Sequence, residues 1–313
     1  MLESYLYTIK IDNEYGYINN RGSFVIPPQY KSARDFSEGL AAVRTFDNKM
    51  GYINTRNEMV LELEAEYLGD FRCGLAIVIF AGKEGCIDKR GQFIVEPIYE
   101  SIYDINPSGT VVVTLNQKQG LLDNSGETLL NPVYDTLGAF SNGLAPMRRA
   151  PGDKEGIINE SGELIVEPRF NSIWPFSEGL AAASLDGENY GFINQWGEFV
   201  IEPKYYQVLP FSEGLAGFRL KTGGKWGYLN YLGEVAIKNK FQNVGQFHEG
   251  VAPVKDKDLA GYINTKGKYI IDKVFLTADE FKNGLGCVTY NYEWGYMDKQ
   301  GRWIYKPDSF DLW

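Results

Sequence analysis

Phe211-Ser212-Glu213-Gly214-Leu215-Ala216, followed ten residues on by Trp226-Gly227-Tyr228-Leu229-Asn230-Tyr231-Leu232-Gly233, decides how this chain is read. Its second half recurs as a glycine, two mostly apolar residues and Asn or Asp. The frame begins at Gly16, Gly51, Gly85, Gly120, Gly156, Gly191, Gly227, Gly261 and Gly295, at spacings of 34 to 36 residues. Nine copies at that period account for essentially all 313 residues. Self-similarity of this kind marks a repeat architecture. The expectation is therefore a single array over residues 1–313, with no separate domain.

Three residues after the Asn or Asp comes a second glycine, as in Gly22, Gly91, Gly126, Gly162, Gly197, Gly233, Gly267 and Gly301, with Asn57 in the second copy. A turn opened by Asn or Asp and closed by a residue at positive φ is a β-hairpin with a bulge. Glycine adopts that conformation at least cost, and asparagine is next best. The apolar strand after the turn often ends in Glu-Pro, as in Val95-Glu96-Pro97, Val166-Glu167-Pro168 and Ile201-Glu202-Pro203. A proline cannot donate to a ladder, so it is expected to close the strand. An aromatic such as Tyr30 or Tyr205 follows, and usually a Phe six residues later, such as Phe36 or Phe211. A glycine-led strand comes next. Its third residue is small in seven of eight copies: Ala41, Ala76, Ala145, Ala181, Ala216, Ala252 and Gly286, against Val111. Crowding at one place suits the innermost strand of a radial array. Each repeat is thus expected to be an antiparallel meander of three strands, or four.

The Lys225-Trp226-Gly227-Tyr228-Leu229-Asn230 stretch and the Phe211-Ser212-Glu213-Gly214 stretch resemble the WG-repeat family of bacterial proteins, over the full chain. Only Trp226 and Trp294 supply the tryptophan. Tyr15, Met50, Glu84, Gln119, Glu155, Tyr190 and Ala260 replace it elsewhere, so the ring is a packing option. The resemblance implies no catalytic residues. Similarity of some members to cell-wall-binding repeats implies a glycan-binding alternative.

Units this small must stack to bury their apolar faces. The fold class expected is all-β, nine tandem antiparallel β-meanders of about 35 residues in a propeller-like ring. An open superhelical β-solenoid is the alternative. The apolar, aromatic ends, Tyr5 to Ile11 and Trp303 to Tyr305, favour closure, or oligomerisation through the terminal units.

Composition narrows function. Hydrophobic residues make up 44%, and 21 Tyr with 18 Phe favour strands. A net charge of −10 argues against nucleic acid and against anionic lipid. Met1-Leu2-Glu3-Ser4 carries no secretory pattern, and no apolar run reaches the length of a membrane span, so a cytoplasmic protein is expected. Cys73, Cys86 and Cys287 lack ligand spacing and read as reduced, buried thiols.

No catalytic, metal or cofactor site is expected. His248 stands alone at a variable turn position. Asp186-Gly187-Glu188-Asn189 and Lys255-Asp256-Lys257-Asp258 lack a calcium-loop pattern and sit where hairpins turn. Most other acids recur at turn positions or strand ends.

Readout positions in a repeat protein are those that vary. The residue before the turn glycine is usually polar, but it is Trp196 in the sixth copy and Leu232, preceded by Tyr231, in the seventh. Two residues before the repeat Phe the chain reads Arg34, Gly69, Gly138, Trp174, Leu209, Gly245 and Asp279, with Tyr103 two before Ile105. Trp196, Tyr231, Leu232, Tyr103, Trp174 and Leu209 are the candidate binding residues. The expected function is a non-enzymatic scaffold for protein–protein interaction, with a glycan as the alternative partner.

Overall fold

A computed structural model describes residues 5–306. The reading of the Met1–Ser4 terminus falls outside them. The chain is all-β: among the described residues it forms nine small antiparallel sheets of β-propeller blade type. Eight have four strands, and the first has three, Tyr7–Ile11, Glu14–Ile18 and Phe24–Tyr30. Packing divides the chain into two compact units, residues 1–153 with 158–164, and residues 154–157 with 165–313. The first four sheets lie in the first unit and the last four in the second.

The seventh sheet shows the pattern. Its strands are Gln207–Val208, Ala216–Arg219, Trp226–Leu229 and Val235–Phe241, paired in chain order. The glycine that opens the sequence motif thus lies in a sheet's third strand. Each four-stranded sheet is begun by the end of one repeat and completed by the start of the next. The small-residue strand is second in its sheet, flanked on both sides, and so is not the innermost strand expected from its composition. Its small side chains have another cause. A Cβ on Gly286 would come within 2.6 Å of Tyr262 Oη and 2.8 Å of the Phe281 ring. The strand makes room for an aromatic pair.

The prolines also differ from expectation. Pro203 lies inside the strand Phe199–Tyr205, where the register passes from Tyr190↔Tyr205 to Phe192↔Ile201. Between those pairs Gly191 alone opposes Glu202, Pro203 and Lys204, which is a bulge on an edge strand, where a missing donor is tolerated. The bulge folds over Gly191. A Cβ there would lie 2.3 Å from Ile201 O and 2.7 Å from Pro203 N. That close approach is why the motif begins with glycine. The second sheet lacks the widest part of this bulge, since Met50, Gly51 and Tyr52 pair singly with Leu63, Glu62 and Leu61. Its outer strand, Met59–Leu63, is accordingly 5 residues long where Phe199–Tyr205 has 7.

The core of each unit is a series of clusters between consecutive sheets. One joins Trp226, Tyr228, Ile237 and Phe241 of the seventh sheet to Val244, Phe247 and Val254 of the eighth. The repeated contact is an aromatic pair. Tyr17–Phe36, Tyr52–Phe71, Phe192–Phe211, Tyr228–Phe247 and Tyr262–Phe281 have centroids 4.7 to 4.9 Å apart. The buried Tyr hydroxyls donate to backbone carbonyls of Arg34, Gly69, Gly245 and Asp279. Where the motif tryptophan is missing, Glu84, Gln119 and Glu155 accept the backbone N–H of Ile102, Leu137 and Ile173 on the next sheet. Cys86 is buried and its thiol is pushed up to about 12 by burial. Cys73, expected to be buried, is exposed because it occupies a left-handed turn position, φ 50°.

Candidate functional site

The Phe-Ser-Glu-Gly segments are two-residue turns that join the first and second strands of a sheet. Ser212 and Leu215 exchange both backbone hydrogen bonds, with Glu213 at φ 52° and Gly214 at φ 79°. Glutamate is an unusual choice for a left-handed position. Its reason is tertiary. Ser212 Oγ donates to Phe247 O at 2.6 Å, and the Glu213 carboxylate accepts the N–H of Gly250 at 2.8 Å, both on the next sheet. Glu38, Glu178 and Glu249 receive Gly74, Gly214 and Gly284 in the same way.

The hairpin tips carry the first candidate set. Asn230 Oδ1 accepts the N–H groups of Leu232 and Glu234, each at 3.0 Å, and Gly233 follows at φ 74°. Asn57, the one non-glycine at this place, has φ 63°. The turn rests on the preceding sheet: a Cβ on Gly233 would lie 3.2 Å from Ile201, as one on Gly197 would lie 2.8 Å from Val166. The side chain before the glycine is left outside. Trp196 is 63% exposed and Leu232 77%. Val200 and Val235 are exposed near the starts of the same two outer strands. Sequence reasoning passed over both as ordinary strand residues, although their place near a hairpin tip on an edge strand was a usable signal.

Tyr231 remains 41% exposed but lies against its neighbours. Its ring stacks on Phe211 with centroids 4.7 Å apart, and its hydroxyl donates to Glu178 Oε2 at 2.6 Å. Partial burial and the Glu178 charge push this phenol up to about 12. Lys89 and Lys299 occupy the same tip position and bind Glu38 and Glu249. Tyr231 is thus the neutral counterpart of a recurring lysine.

The second candidate set forms a row of equivalent positions. The N–H groups of Arg34, Gly69, Trp174, Leu209, Gly245 and Asp279 each donate to the sheet's second strand. Side chains along the row have different fates. Trp174 packs on the sixth and seventh sheets' cluster, 5.8 Å from the Tyr190 ring. Leu209 packs on the cluster between the seventh and eighth. Tyr103, in the first unit, is 60% exposed and lines a cleft of about 380 Å³ with Arg34, Gly69 and Asp70. There Arg34 binds Asp70 through two hydrogen bonds, 2.7 and 3.1 Å, with its guanidinium 5.5 Å from the Tyr67 centroid. A second cleft, of about 510 Å³, lies between the eighth and ninth sheets and includes Gly245 and Asp279 of the row.

The acidic turn at Asp186 is occupied by its own backbone. Its carboxylate accepts the N–H groups of Glu188 and Asn189, both at 2.8 Å, and these bonds hold it far below the usual carboxylate range. His248 Nε2 lies 3.1 Å from Glu280 Oε2 on an exposed surface. Among the described residues, no helix is long and apolar enough to cross a membrane.

A family model described as WG containing repeat matches nine consecutive segments: 15–49, 50–83, 85–118, 120–149, 156–188, 190–226, 226–259, 261–293 and 294–311. No curated protein matches the chain by sequence. The chain is similar in structure to a eukaryotic initiation factor, with TM-score 0.68 at 9% identity, over 96% of this chain and 94% of that one. BamB from Moraxella catarrhalis gives TM-score 0.42 at 14% identity, over 96% of this chain and 95% of that one. The first likeness is one of fold alone.

Proposed function

We propose that this chain, which belongs to the WG-repeat family, is a non-enzymatic scaffold that binds a protein partner through the hairpin tips of its sixth and seventh sheets. One observation carries the reading: Trp196 and Leu232, large apolar side chains, stand exposed at equivalent tips of consecutive sheets, where the other copies place mostly polar residues. Tips seated on a packed sheet offer rigid anchors, and exposed tryptophan in such a place is typical of an interface hot spot. Val200 and Val235 supply an apolar surround. Tyr231, clamped between Phe211 and Glu178, holds the seventh tip in place. Trp174 and Leu209 pack on the clusters that join these sheets to their neighbours.

The test is capture of partners from the native host with the wild-type chain and with Trp196→Ser/Leu232→Ser. The double variant should lose the captured protein while melting as the wild type does. Undiminished capture by a folded double variant would remove these tips as the site.

A further inference from the structure

The hairpin between the second and third strands of the seventh sheet reads Arg219-Leu220-Lys221-Thr222-Gly223-Gly224-Lys225, three cations and no acid in seven residues. The matching hairpins of the sixth and eighth sheets carry Asp186 with Glu188 and Asp256 with Asp258. In a chain of net charge −10 the seventh hairpin is a local reversal of sign. It is also held in shape. The Gly224 N–H donates to Lys221 O at 2.9 Å, and Asn239 Nδ2 donates to Lys225 O at 3.1 Å.

Arg219 is positioned by rings and paired with nothing. Its guanidinium carbon lies 5.2 Å from the centroid of Trp226, which is buried, and 5.5 Å from that of Tyr206, which is exposed. Ring faces attract the charge but take none of the N–H donors as a carboxylate would. Its Nε is buried without an acceptor, and among the described residues the guanidinium makes no hydrogen bond and no ion pair. Other copies with a cation at this register use it differently. Arg44 donates to Met50 Sδ, Lys255 to Leu276 O, and Lys10 passes over Tyr15 into solvent. The two lysines of the hairpin are also poorly compensated. Lys221 is exposed and has no ion pair among the described residues. Lys225 is 3.9 Å from Asp256, whose carboxylate is already bound by Lys273.

We propose that this hairpin docks an acidic peptide segment of a partner, one carboxylate pairing with the Arg219 guanidinium and a neighbouring one with Lys221. A planar guanidinium already oriented by two rings loses little freedom on pairing, and a carboxylate matches its fork. Tyr206 and Leu220, both exposed, offer apolar contact to the same segment. The negative charge elsewhere on the chain repels such a guest, which confines it to this hairpin. The inference rests on the scaffold reading only in taking the guest to be a protein segment. It uses a different surface: Phe218 pairs with Gly227 and Ala216 with Leu229, so Arg219 stands beside the start of the strand Trp226–Leu229 and Leu232 lies beyond its end.

The experiment is fluorescence anisotropy of the full chain with a rhodamine-labelled Glu-Leu-Glu-Glu peptide amide, its Gln-Leu-Gln-Gln counterpart, and inorganic phosphate as competitor. The acidic peptide should bind saturably, and the glutamine peptide about tenfold more weakly or worse. Arg219→Gln should weaken the acidic peptide about tenfold and Lys221→Gln about threefold. Arg219→Gln alters packing on two rings, so its melting curve is recorded; Lys221→Gln lies on the exposed turn and carries the test if the first variant unfolds. Equal binding of the two peptides, or binding unchanged by folded variants at both positions, would overturn the proposal. So would displacement of the peptide by phosphate at matched concentration, which would make the hairpin a general oxyanion site. Trp196→Ser/Leu232→Ser should bind the acidic peptide like the wild type, so a failure of the tip reading and a failure of the hairpin are read separately.

Discussion

Tyr231 Oη donates to Glu178 Oε2 across 53 residues of sequence, at 2.6 Å, where two other copies make a lysine–glutamate ion pair. The same carboxylate accepts the N–H groups of Glu213 and Gly214 at 2.8 and 3.0 Å. Two sheets meet at one side chain: Glu178 is on the turn of the sixth, Gly214 on the turn of the seventh, and Tyr231 on the seventh sheet's tip, which lies over the sixth.

Acid should loosen this junction. Partial burial raises the Glu178 carboxyl, but the Tyr231 phenol and the two N–H groups outweigh it and hold it below the ordinary glutamate value of 4.5. A carboxylate with a depressed folded pKa contributes stability above its unfolded value and loses it as pH falls through the folded one. Glu178→Gln should flatten the acid limb of the stability profile below pH 4.5, measured by urea melts at stepped pH. At the other end, the Tyr231 phenol should titrate near 12 by NMR and move toward the ordinary phenol value of 10.0 in Glu178→Gln. Its stabilising contribution is full below 10 and disappears as pH rises through about 12. Tyr231→Phe should cost ~0.5–1 kcal/mol, a small figure because the pair is partly exposed.

The two motif glycines should respond differently. Gly191→Ala drives a Cβ into backbone atoms of the bulge, 2.3 Å from Ile201 O. The strand must shift, at a cost of ~2–3 kcal/mol or more. Gly301 needs positive φ (77°), and a Cβ there meets only Ile271 at 3.7 Å. Gly301→Asn should therefore cost under ~1 kcal/mol, and Gly301→Val more, by about 1–2 kcal/mol. Thermal melts of the three variants check the order.

Tyr228→Phe tests the aromatic pair. The substitution keeps the ring against Phe247 but leaves the Gly245 carbonyl without its donor at 2.8 Å. A loss of ~1–2 kcal/mol is expected in chemical denaturation. Phe192 already occupies the equivalent place in the sixth sheet, so the fold should survive.

Trp196→Ser and Leu232→Ser should each change stability by less than ~0.5 kcal/mol, because both side chains lie mostly in solvent. A larger loss in denaturant melts would place them in the framework instead.

Local turn chemistry was legible throughout. The hairpin turn was read from Asn or Asp and glycine three residues apart, and Gly233 and Asn57 have the positive φ that reading requires. Pro203 was misread as a strand end, because a bulge and a terminus both tolerate a missing donor. The candidate positions were found as variable ones, but their fates were not. Tyr231 and Leu232 are adjacent in sequence, yet one stacks on Phe211 and the other is 77% exposed.

The sequence by itself determined the repeat, its count and its hairpins, because a period and a turn depend on residues within a few positions of one another. Tertiary structure decided the rest. The glutamate at φ 52° in the Ser212-Glu213-Gly214 turn is explained only by Gly250, 37 residues away on the next sheet. The cleft that includes Gly245 forms because Thr277, Asp279 and Glu280 are carried beside it by the ninth sheet. Contacts between sheets set those outcomes, and side-chain direction at a sheet boundary depends on neighbours that no local pattern names.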